Sequence, residues 1–319
     1  MTTPTVFWIA SCTKMIVSIA AMQLLEQGKL ALDDVELVEK LAGSQGRQAG
    51  FGYAFFNSKL KRWSEPIRID ELSSRRTDIL NQPLVNQPGS RWEYGVNIDW
   101  ASELVVRASG LSLNDYFLKH IMEPLGIKDI NMFPIEDMKR RLAYMHQKAA
   151  DGTITLVKTA IPINFLLRPK RQRISKPHMT LVELAALLFH LKIIAALLNG
   201  GKCPKTGVQI LKPESTKELF TNQIPEFPNF GRQGINPTKP SFSNPVPDMY
   251  PQPNKPQGWT LSGFQHAHST ATGRAPCTIR WVGIANLYWW ADPERDLGGF
   301  IATQILPFAG EYIPSSYLR

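Results

Sequence analysis

Cysteine is scarce in this sequence, and long uncharged apolar runs are missing. The three cysteines, Cys12, Cys203 and Cys277, are odd in number and far apart, so they predict neither a disulfide framework nor a CxxC metal pair. The most apolar segment, residues 181–198, carries three ionisable side chains, whereas a membrane span needs roughly 18 residues with hardly any charge. The sequence therefore predicts neither a disulfide-stapled scaffold nor a membrane-spanning protein.

The first ten residues have no basic region ahead of their short apolar run at 6–10, so no secretory signal peptide is predicted. Together with the few cysteines this favours a reducing compartment, and we expect a cytoplasmic protein. His266 and His268 would share one face of a strand, but no third ligand accompanies them. We therefore expect no metal and no cofactor.

Positive charge exceeds negative charge, with 36 lysines and arginines against 27 acidic residues and a net charge of +9. The basic residues cluster at 59–62, 139–141 and 168–173. Such clusters can bind nucleic acid or anionic lipid, but no nucleic-acid-binding motif accompanies them, and we favour solvated surface. We expect a small-molecule substrate as partner, and neither nucleic acid nor a membrane.

The hydrophobic pattern predicts one α+β domain over residues 1–319, since a chain that is 43% hydrophobic can bury a large core. Helices are predicted at 13–27, 97–108, 112–122 and 180–199, and a long loop at 222–257. Strands are predicted at 259–265, 278–284, 286–291 and 299–306. A mostly helical subdomain, at roughly 35–220, would thus lie between the first helix and an antiparallel C-terminal sheet at 258–308.

Ser11 and Lys14 form an S-x-x-K motif at the start of the first predicted helix. Positions i and i+3 share a helix face, so the lysine amine can reach the serine hydroxyl and accept its proton. A helix N-terminus also directs free N–H groups at the reacting atoms. The motif alone is expected about once by chance in such a chain, and the alternative is a helix cap followed by an exposed lysine. The apolar residues on both sides favour a buried lysine.

Two further segments hold candidate site residues. Tyr94 lies in Trp92–Asn97, and its phenol could carry a proton near Ser11; the alternative is a core tyrosine with one hydrogen bond. Gly283 lies in the predicted strand Arg280–Ile284, where a glycine often marks the close approach of a ligand to the backbone. The alternative there is an ordinary bulge.

Four phrases carry a resemblance to a known family: Ile9–Lys14, Trp92–Trp100, Glu123–Ile127 and Asn286–Pro293. In this order they are similar to the serine β-lactamase-like superfamily, which includes class C β-lactamases, DD-peptidases, family VIII carboxylesterases and fungal lovastatin-type acyltransferases. They resemble the esterase and transesterase branch in particular, over nearly the whole chain. The resemblance implies a β-lactamase/transpeptidase-like fold, with an antiparallel sheet flanked by helices and a mostly helical subdomain.

The resemblance also implies a role for each site residue. Ser11 would be the acylated nucleophile, Lys14 its base partner and Tyr94 the second proton carrier. The segment from Trp281 to Gly283 would stand where true β-lactamases have the K-T-G motif, and the N–H groups of Ser11 and Ile284 would form the oxyanion hole. Tryptophan in place of lysine removes the charge that grips a β-lactam carboxylate, which argues for ester or thioester substrates.

The chain departs from the family pattern in several places. Ten residues precede Ser11, where relatives usually carry several dozen, and the stretch at 43–50 is shorter than theirs. Tyr94 and Asn97 follow a Y-x-x-N pattern where class C enzymes have Y-x-N, so the assignment of Asn97 to substrate binding is the least direct. We expect a truncated scaffold, which leaves open a catalytically impaired pseudoenzyme or binding protein.

The function that the sequence predicts is a serine-dependent acyl-enzyme hydrolase or acyltransferase. Its expected substrates are small-molecule acyl esters or thioesters. The resemblance implies secondary metabolism as the context and an acyl-carrier protein as a candidate donor.

Overall fold

The computed structural model describes residues 5–31, 50–71, 76–157, 184–232, 234, 236–246 and 255–309. The helices are α1 (Lys14–Glu26), α2 (Ser58–Ser64), α3 (Arg76–Leu80), α4 (Asn97–Ser109), α5 (Leu113–Phe117), α6 (Glu136–Arg140), α7 (Leu187–Leu198) and α8 (Pro213–Phe220). The strands are β1 (Val6–Trp8), β2 (Ile130–Asn131), β3 (His146–Lys148), β4 (Ile154–Leu156), β5 (Leu184–Ala186), β6 (Gln257–Trp259), β7 (Phe264–His266), β8 (Ile279–Gly283), β9 (Leu287–Asp292), β10 (Leu297–Ile301) and β11 (Ile305–Leu306). Two 3-10 turns lie at Ala10–Thr13 and Phe230–Arg232.

The C-terminal strands form one antiparallel sheet in the order β10-β9-β8-β7-β6. Each strand pairs with its neighbour in sequence, so the predicted meander is confirmed. The single strand predicted at 259–265 is wrong, because these residues belong to two strands, β6 and β7. Thr260 Oγ1 accepts hydrogen bonds from the N–H groups of Ser262 and Gly263, at 3.2 Å each. This side chain stabilises the tight turn between the two strands.

The last predicted strand, at 299–306, is also divided. β10 ends at Ile301, and β11 pairs in parallel with β3 in a second sheet of order β11-β3-β4. Between β10 and β11 the chain approaches β1. The side chain of Gln304 accepts a hydrogen bond from the N–H of Trp8 at 3.1 Å and donates one to the carbonyl of Trp8 at 2.9 Å. A side-chain amide thus bonds to the backbone of β1 as a neighbouring strand would.

A third sheet has the order β1-β5-β2. The helix predicted at 180–199 is correct only from Leu187, where α7 begins, because residues 184–186 form β5; residues 180–183 lie outside the described part of the chain. β5 pairs antiparallel with β1 on one side and with β2 on the other. These two ladders of backbone hydrogen bonds outweigh the helical preference of leucine and alanine.

The helices predicted nearer the N-terminus are confirmed, with shifted boundaries. α1 is buried on nearly all of its surface and packs against α4. α4 ends at Gly110, which has a φ of +71°. α5 begins after Ser112, whose side chain accepts a hydrogen bond from the N–H of Asp115 at 3.1 Å, and a π-helical turn, Leu118–Met122, continues it.

α7 covers the inner face of the five-stranded sheet next to β9 and β10. A Cβ at Gly298 would lie 2.3 Å from Ile194, so glycine at this position lets the helix pack closely on β10. His190 lies between the rings of Trp289 and Phe300 and is fully buried. Burial lowers the pKa of His190 to about 3, so the imidazole is neutral and serves as part of the core.

The basic cluster at 139–141 is neutralised by acidic residues around it. Arg141 pairs with Asp137 at 2.6 Å and with Asp129 at 2.9 Å. These ion pairs fit the prediction of solvated surface for this cluster, whereas the cluster at 168–173 lies outside the described residues. Within the described ranges, no helix is long and apolar enough to cross a membrane.

Candidate active site

Ser11 lies in the 3-10 turn that joins β1 to α1. The turn is closed by hydrogen bonds from the N–H of Cys12 to the carbonyl of Ile9, at 3.0 Å, and from Thr13 Oγ1 to the carbonyl of Ala10, at 2.7 Å. Ala10 has a φ of +46°, a left-handed conformation that costs an L-residue about 1–2 kcal/mol. This strained turn places Ser11, 8% exposed, just before α1.

Cys12, the other nucleophilic side chain of this turn, is fully buried. Burial raises the pKa of its thiol far above the usual range, although the charge of Lys14 acts in the opposite direction. A protonated thiol is a poor nucleophile. Ser11 is therefore the side chain of this turn that is available for chemistry.

Lys14 is the first residue of α1 and is 6% exposed. Its Nζ lies 3.0 Å from Ser11 Oγ, as the spacing of the motif predicts. Nζ also lies over the rings of Tyr53 and Tyr94, 5.6 and 5.2 Å from their centroids. The alternative of an exposed lysine after a helix cap is therefore wrong, because the amine is buried against the serine and two aromatic rings.

Tyr94 contacts the same serine. Its hydroxyl donates a hydrogen bond to Ser11 Oγ at 3.0 Å and accepts one from Trp281 Nε1 at 3.3 Å. The rings of Tyr94 and Trp281 pack with centroids 5.0 Å apart. The alternative of a core tyrosine with one hydrogen bond does not describe this residue, which lies between the predicted nucleophile and the strand β8.

The segment that carries Tyr94 is held against the chain at Phe51 by a glycine. A Cβ at Gly95 would lie 1.9 Å from the carbonyl oxygen of Phe51 and 2.6 Å from Gly52 Cα. The two backbones therefore touch, and no other residue type fits at position 95 without displacing one of them. Gly95 thus positions Tyr94, its neighbour in sequence.

Asn97, assigned to substrate binding by the resemblance, lines the cleft beside Lys14. Its Oδ1 accepts from the N–H groups of Gly50 and Phe51 at 3.2 and 3.3 Å, and its Nδ2 donates to the carbonyl of Phe51 at 3.2 Å. The amide therefore fastens residues 50–51 to the start of α4. A role of Asn97 toward substrate stays a prediction.

β8 runs along the turn that contains Ser11. A Cβ at Gly283 would lie 2.8 Å from the carbonyl oxygen of Ile9, so glycine permits close approach of this strand to the turn. Gly283 pairs regularly with Leu287 in the ladder between β8 and β9, so the alternative of a bulge at Gly283 is wrong. Ile284 follows directly, at the end of the strand nearest the nucleophile turn.

Tyr53 is a residue of the site that the sequence did not single out. Its hydroxyl accepts a hydrogen bond from Lys14 Nζ at 3.2 Å, and the side chain is 1% exposed. Burial, and then the proximity of Tyr94, raises the pKa of Tyr53 well above its usual range. In the sequence it appears within an aromatic run, and the flanking Gly50 and Gly52, typical of loops that pass close to other backbone, are the only signal that could have drawn attention to it.

A cleft of about 430 Å³ opens beside Lys14 and Tyr94. Its walls are largely apolar and include Trp92, Ile98, Ala101, Ile224, Phe227, Trp259 and Leu261. Trp92 packs on Trp259, with ring centroids 5.0 Å apart, and Trp259 packs on Trp281 at 4.6 Å. A continuous aromatic wall thus leads from the mouth of the cleft to the hydroxyl of Tyr94.

The two histidines noted in the sequence do not come together as ligands. His266 is buried, and its Nε2 accepts a hydrogen bond from Arg280 Nε at 3.1 Å. Burial and the charges of Arg280 and Arg274 lower the pKa of His266 to about 2, whereas His268 is exposed. Within the described part of the chain, no group of three or more His, Cys, Asp or Glu residues could hold a metal ion.

A comparison with known protein families matches the half of the chain that contains most of these residues. The family model described as Beta-lactamase matches residues 1–162. The chain belongs to the Beta-lactamase family. Ser11, Lys14, Tyr53 and Tyr94 lie inside the matched region, and β8 lies beyond it.

Relatives of this Beta-lactamase family member are named as an esterase and as acyltransferases. It is 27% identical over 343 residues to Lovastatin esterase of Penicillium rubens, which covers 96% of this chain and 81% of that protein. It is 25% identical over 347 residues to an acyltransferase of Penicillium decumbens, which covers 94% of this chain and 76% of that protein. It is 31% identical over 183 residues to Monacolin J acid methylbutanoyltransferase of Aspergillus terreus, and this match covers 46% of this chain and 43% of that protein.

Solved structures bear out the fold. Simvastatin synthase from Aspergillus terreus matches 98% of this chain and 78% of its own with a TM-score of 0.76 at 21% identity. EstCE1, described as a hydrolase with promiscuous acyltransferase activity, matches 100% of this chain and 84% of its own, with a TM-score of 0.73 at 18% identity. The predicted α+β, β-lactamase/transpeptidase-like fold is confirmed, and the names of the relatives confirm the predicted class, a serine hydrolase or acyltransferase.

Proposed function

We propose that this chain is an esterase or transesterase that works through an acyl-enzyme on Ser11. The observation that carries the proposal is the position of Ser11 Oγ, which lies 3.0 Å from both Lys14 Nζ and the hydroxyl of Tyr94. At such distances a proton can pass directly between serine and either neighbour. Lys14 thus activates the serine, and Tyr94 is a second proton carrier within reach of it.

In the acylation step, Lys14 takes the proton of Ser11 as Oγ attacks the carbonyl carbon of the substrate. The N–H groups of Ser11 and Ile284 stabilise the oxyanion that forms, which is the largest contribution in many acyl-transfer sites. The bond to the leaving alkoxide or thiolate then breaks, and Tyr94 supplies the proton that the leaving group needs. The indole N–H of Trp281 stabilises negative charge on the Tyr94 oxygen at that moment.

In the second step, an acceptor attacks the acyl group on Ser11. Tyr94, left without its proton by the first step, takes the acceptor's proton, and the serine oxygen leaves as Lys14 returns to it the proton that it took in the first step. Water as acceptor gives hydrolysis, and an alcohol gives transfer. The aromatic and aliphatic walls of the cleft favour an organic acceptor over water, because a dry site disfavours hydrolysis of the intermediate.

The proposed substrates are small-molecule acyl esters and thioesters of secondary metabolism. Trp281 stands where a β-lactamase would present a lysine, which argues against recognition of a β-lactam carboxylate, and the cleft of about 430 Å³ suits an apolar acyl group. The relatives named for lovastatin and monacolin J support this context. For thioesters, the donor that we propose is an acyl-carrier protein.

We also propose that the reaction takes place in the cytoplasm. The support is the state of the cysteines: Cys12 and Cys203 are free and buried, and Cys277 is free and exposed. Free thiols of this kind are typical of a reducing compartment.

The proposal is tested with a fluorophosphonate probe and with p-nitrophenyl esters of increasing acyl length. We expect covalent labelling of the wild type and a burst of p-nitrophenol equal to the enzyme concentration. Ser11→Ala should abolish both signals, whereas Ser109→Ala, at the far end of α4, should behave as wild type. Labelling that survives Ser11→Ala, or a folded wild type that neither labels nor bursts, would falsify the proposal.

A further inference from the structure

Tyr53 touches the site but takes no part in the steps described above. Its hydroxyl accepts the hydrogen bond from Lys14 Nζ at 3.2 Å, whereas Tyr94 bonds to Ser11 itself. The structure assigns to Tyr53 the role of a positioning residue, which orients the amine of Lys14 toward Ser11 by holding one of its N–H groups. This inference rests on the proposed function.

The argument begins with the geometry of an amine that acts as a base. A neutral amine has one lone pair and two N–H groups, and the lone pair must point at the hydroxyl proton of Ser11 for transfer to occur. Rotation about the Cε–Nζ bond of Lys14 would otherwise turn either N–H group, instead of the lone pair, toward Ser11. A hydrogen bond from one N–H to a fixed acceptor removes that freedom, and Tyr53 provides such an acceptor within bonding distance of Nζ.

The position of Tyr53 is fixed by its backbone. Residues 53–56 form a turn closed by a hydrogen bond from the N–H of Phe56 to the carbonyl of Tyr53 at 3.0 Å. The N–H of Phe55 donates to Glu71 at 3.0 Å, and Thr238 Oγ1 donates to the carbonyl of Ala54 at 2.7 Å. Two anchors from distant parts of the chain thus hold the turn that presents the phenol.

The ring of Tyr53 is fixed as well. It stacks on Phe55 with centroids 4.7 Å apart and meets the edge of Tyr94 at 5.3 Å. Lys14 Nζ lies over both tyrosine rings, whose π-faces attract the cation that Lys14 becomes once it has taken the proton of Ser11. Since burial keeps Tyr53 a neutral phenol, its oxygen accepts from Lys14 without forming a competing buried charge.

The test compares single-turnover acylation of the wild type, Tyr53→Phe and Tyr116→Phe by a p-nitrophenyl ester. Tyr53→Phe keeps the ring and removes only the acceptor, so the maximal acylation rate should fall about 10- to 100-fold, as for a slightly misplaced catalytic group. The half-saturating ester concentration should stay unchanged, because Tyr53 acts on Lys14 and not on substrate. Tyr116→Phe, which alters a buried tyrosine on α5 stacked on His120, should acylate as wild type.

Thr238→Val is the second variant, because it loosens the anchor at Ala54 while leaving the phenol in place. We expect a smaller fall in the maximal acylation rate than for Tyr53→Phe, again with an unchanged half-saturating ester concentration. A folded Tyr53→Phe that acylates within about twofold of the wild-type rate overturns the inference. A fall in the maximal acylation rate that is accompanied by an equal rise in the half-saturating ester concentration also overturns it. A wild type without a burst refutes the proposed function instead, so the two failures are distinguishable.

Discussion

The indole N–H of Trp281 donates to the hydroxyl of Tyr94 over 3.3 Å, and that hydroxyl donates to Ser11 over 3.0 Å. Removing the first donor while keeping an aromatic ring, as in Trp281→Phe, should lower kcat about tenfold, equivalent to about 1.4 kcal/mol of lost stabilisation of charge on Tyr94. Steady-state hydrolysis of a short p-nitrophenyl ester measures the change. Trp290→Phe is the control, because Trp290 lies on the opposite face of the sheet, over Arg274. Equal activity of both variants would exclude a catalytic role for the Trp281 donor.

Gly95→Ala should destabilise the protein by about 3 kcal/mol or more, since the added methyl group meets the backbone at Phe51 and cannot be accommodated by a side-chain rotation. Gly89→Ala is the control. Gly89 has a positive φ, +74°, but no heavy atom lies within 4 Å of its added Cβ, so only a conformational cost of about 1 kcal/mol applies there. Urea denaturation followed by tryptophan fluorescence measures both. Similar losses for the two variants would contradict the close contact at Phe51.

Glu71→Gln should change how stability depends on pH. Burial raises the pKa of Glu71 above its usual range, so the folded protein holds this proton more tightly than the unfolded chain does. The stability from this group is fully present below its unfolded pKa and is lost as the pH rises through the folded pKa. Glutamine stays neutral and keeps an oxygen for the N–H of Phe55, so the stability of the variant relative to wild type should increase as the pH rises above the unfolded pKa of about 4.3.

Urea denaturation at several pH values measures this gain, with Glu214→Gln as the control because Glu214 is an exposed glutamate on α8. A difference between Glu71→Gln and wild type that stays constant with pH would show that Glu71 is ionised in the same way in both states.

His190→Leu should make the protein less sensitive to acid. The pKa of His190 is lowered to about 3, whereas the unfolded imidazole titrates near about 6.5. As the pH falls below about 6.5, only the unfolded chain gains the proton, so the wild type loses about 1.4 kcal/mol per pH unit from this group. Leucine removes that loss and also removes two ring nitrogens that have no hydrogen-bond partner among the described residues.

Melting temperatures of His190→Leu and wild type between about pH 7 and 4 test this prediction. The gap in favour of the variant should widen toward acid, and His268→Gln, at an exposed histidine, should follow the wild type. A gap that narrows toward acid would mean that His190 is protonated in the folded protein.

The approach of Lys14 to Ser11 could be predicted from the sequence because their spacing has a direct geometric meaning, whereas a place for Tyr94 beside them was implied by the family resemblance. A separation of three residues places serine and lysine on one helix side, and the apolar residues around them indicate burial. The five-stranded meander could be predicted for a similar reason, since alternation and turn residues mark each strand locally. Both kinds of signal act over a few residues.

Tyr53 could not be assigned in this way. Its hydrogen bond to Lys14 spans 39 residues and depends on where a loop passes, which in turn depends on the contact between Gly95 and Phe51. β5 was missed for a related reason: its leucine and alanine residues favour a helix, and only pairing with β1 and β2 makes them a strand. Contacts between distant segments decided both cases.

The hydrogen bonds between Trp8 and Gln304 join residues 296 positions apart in sequence. Ser11 lies three residues after Trp8, so the nucleophile is synthesised well before Gln304 and the sheet strand β8. Contacts over such separations form slowly, because a long loop must close before they contribute any stability. The order of synthesis therefore postpones assembly of the serine turn until β8 and Gln304 have been made.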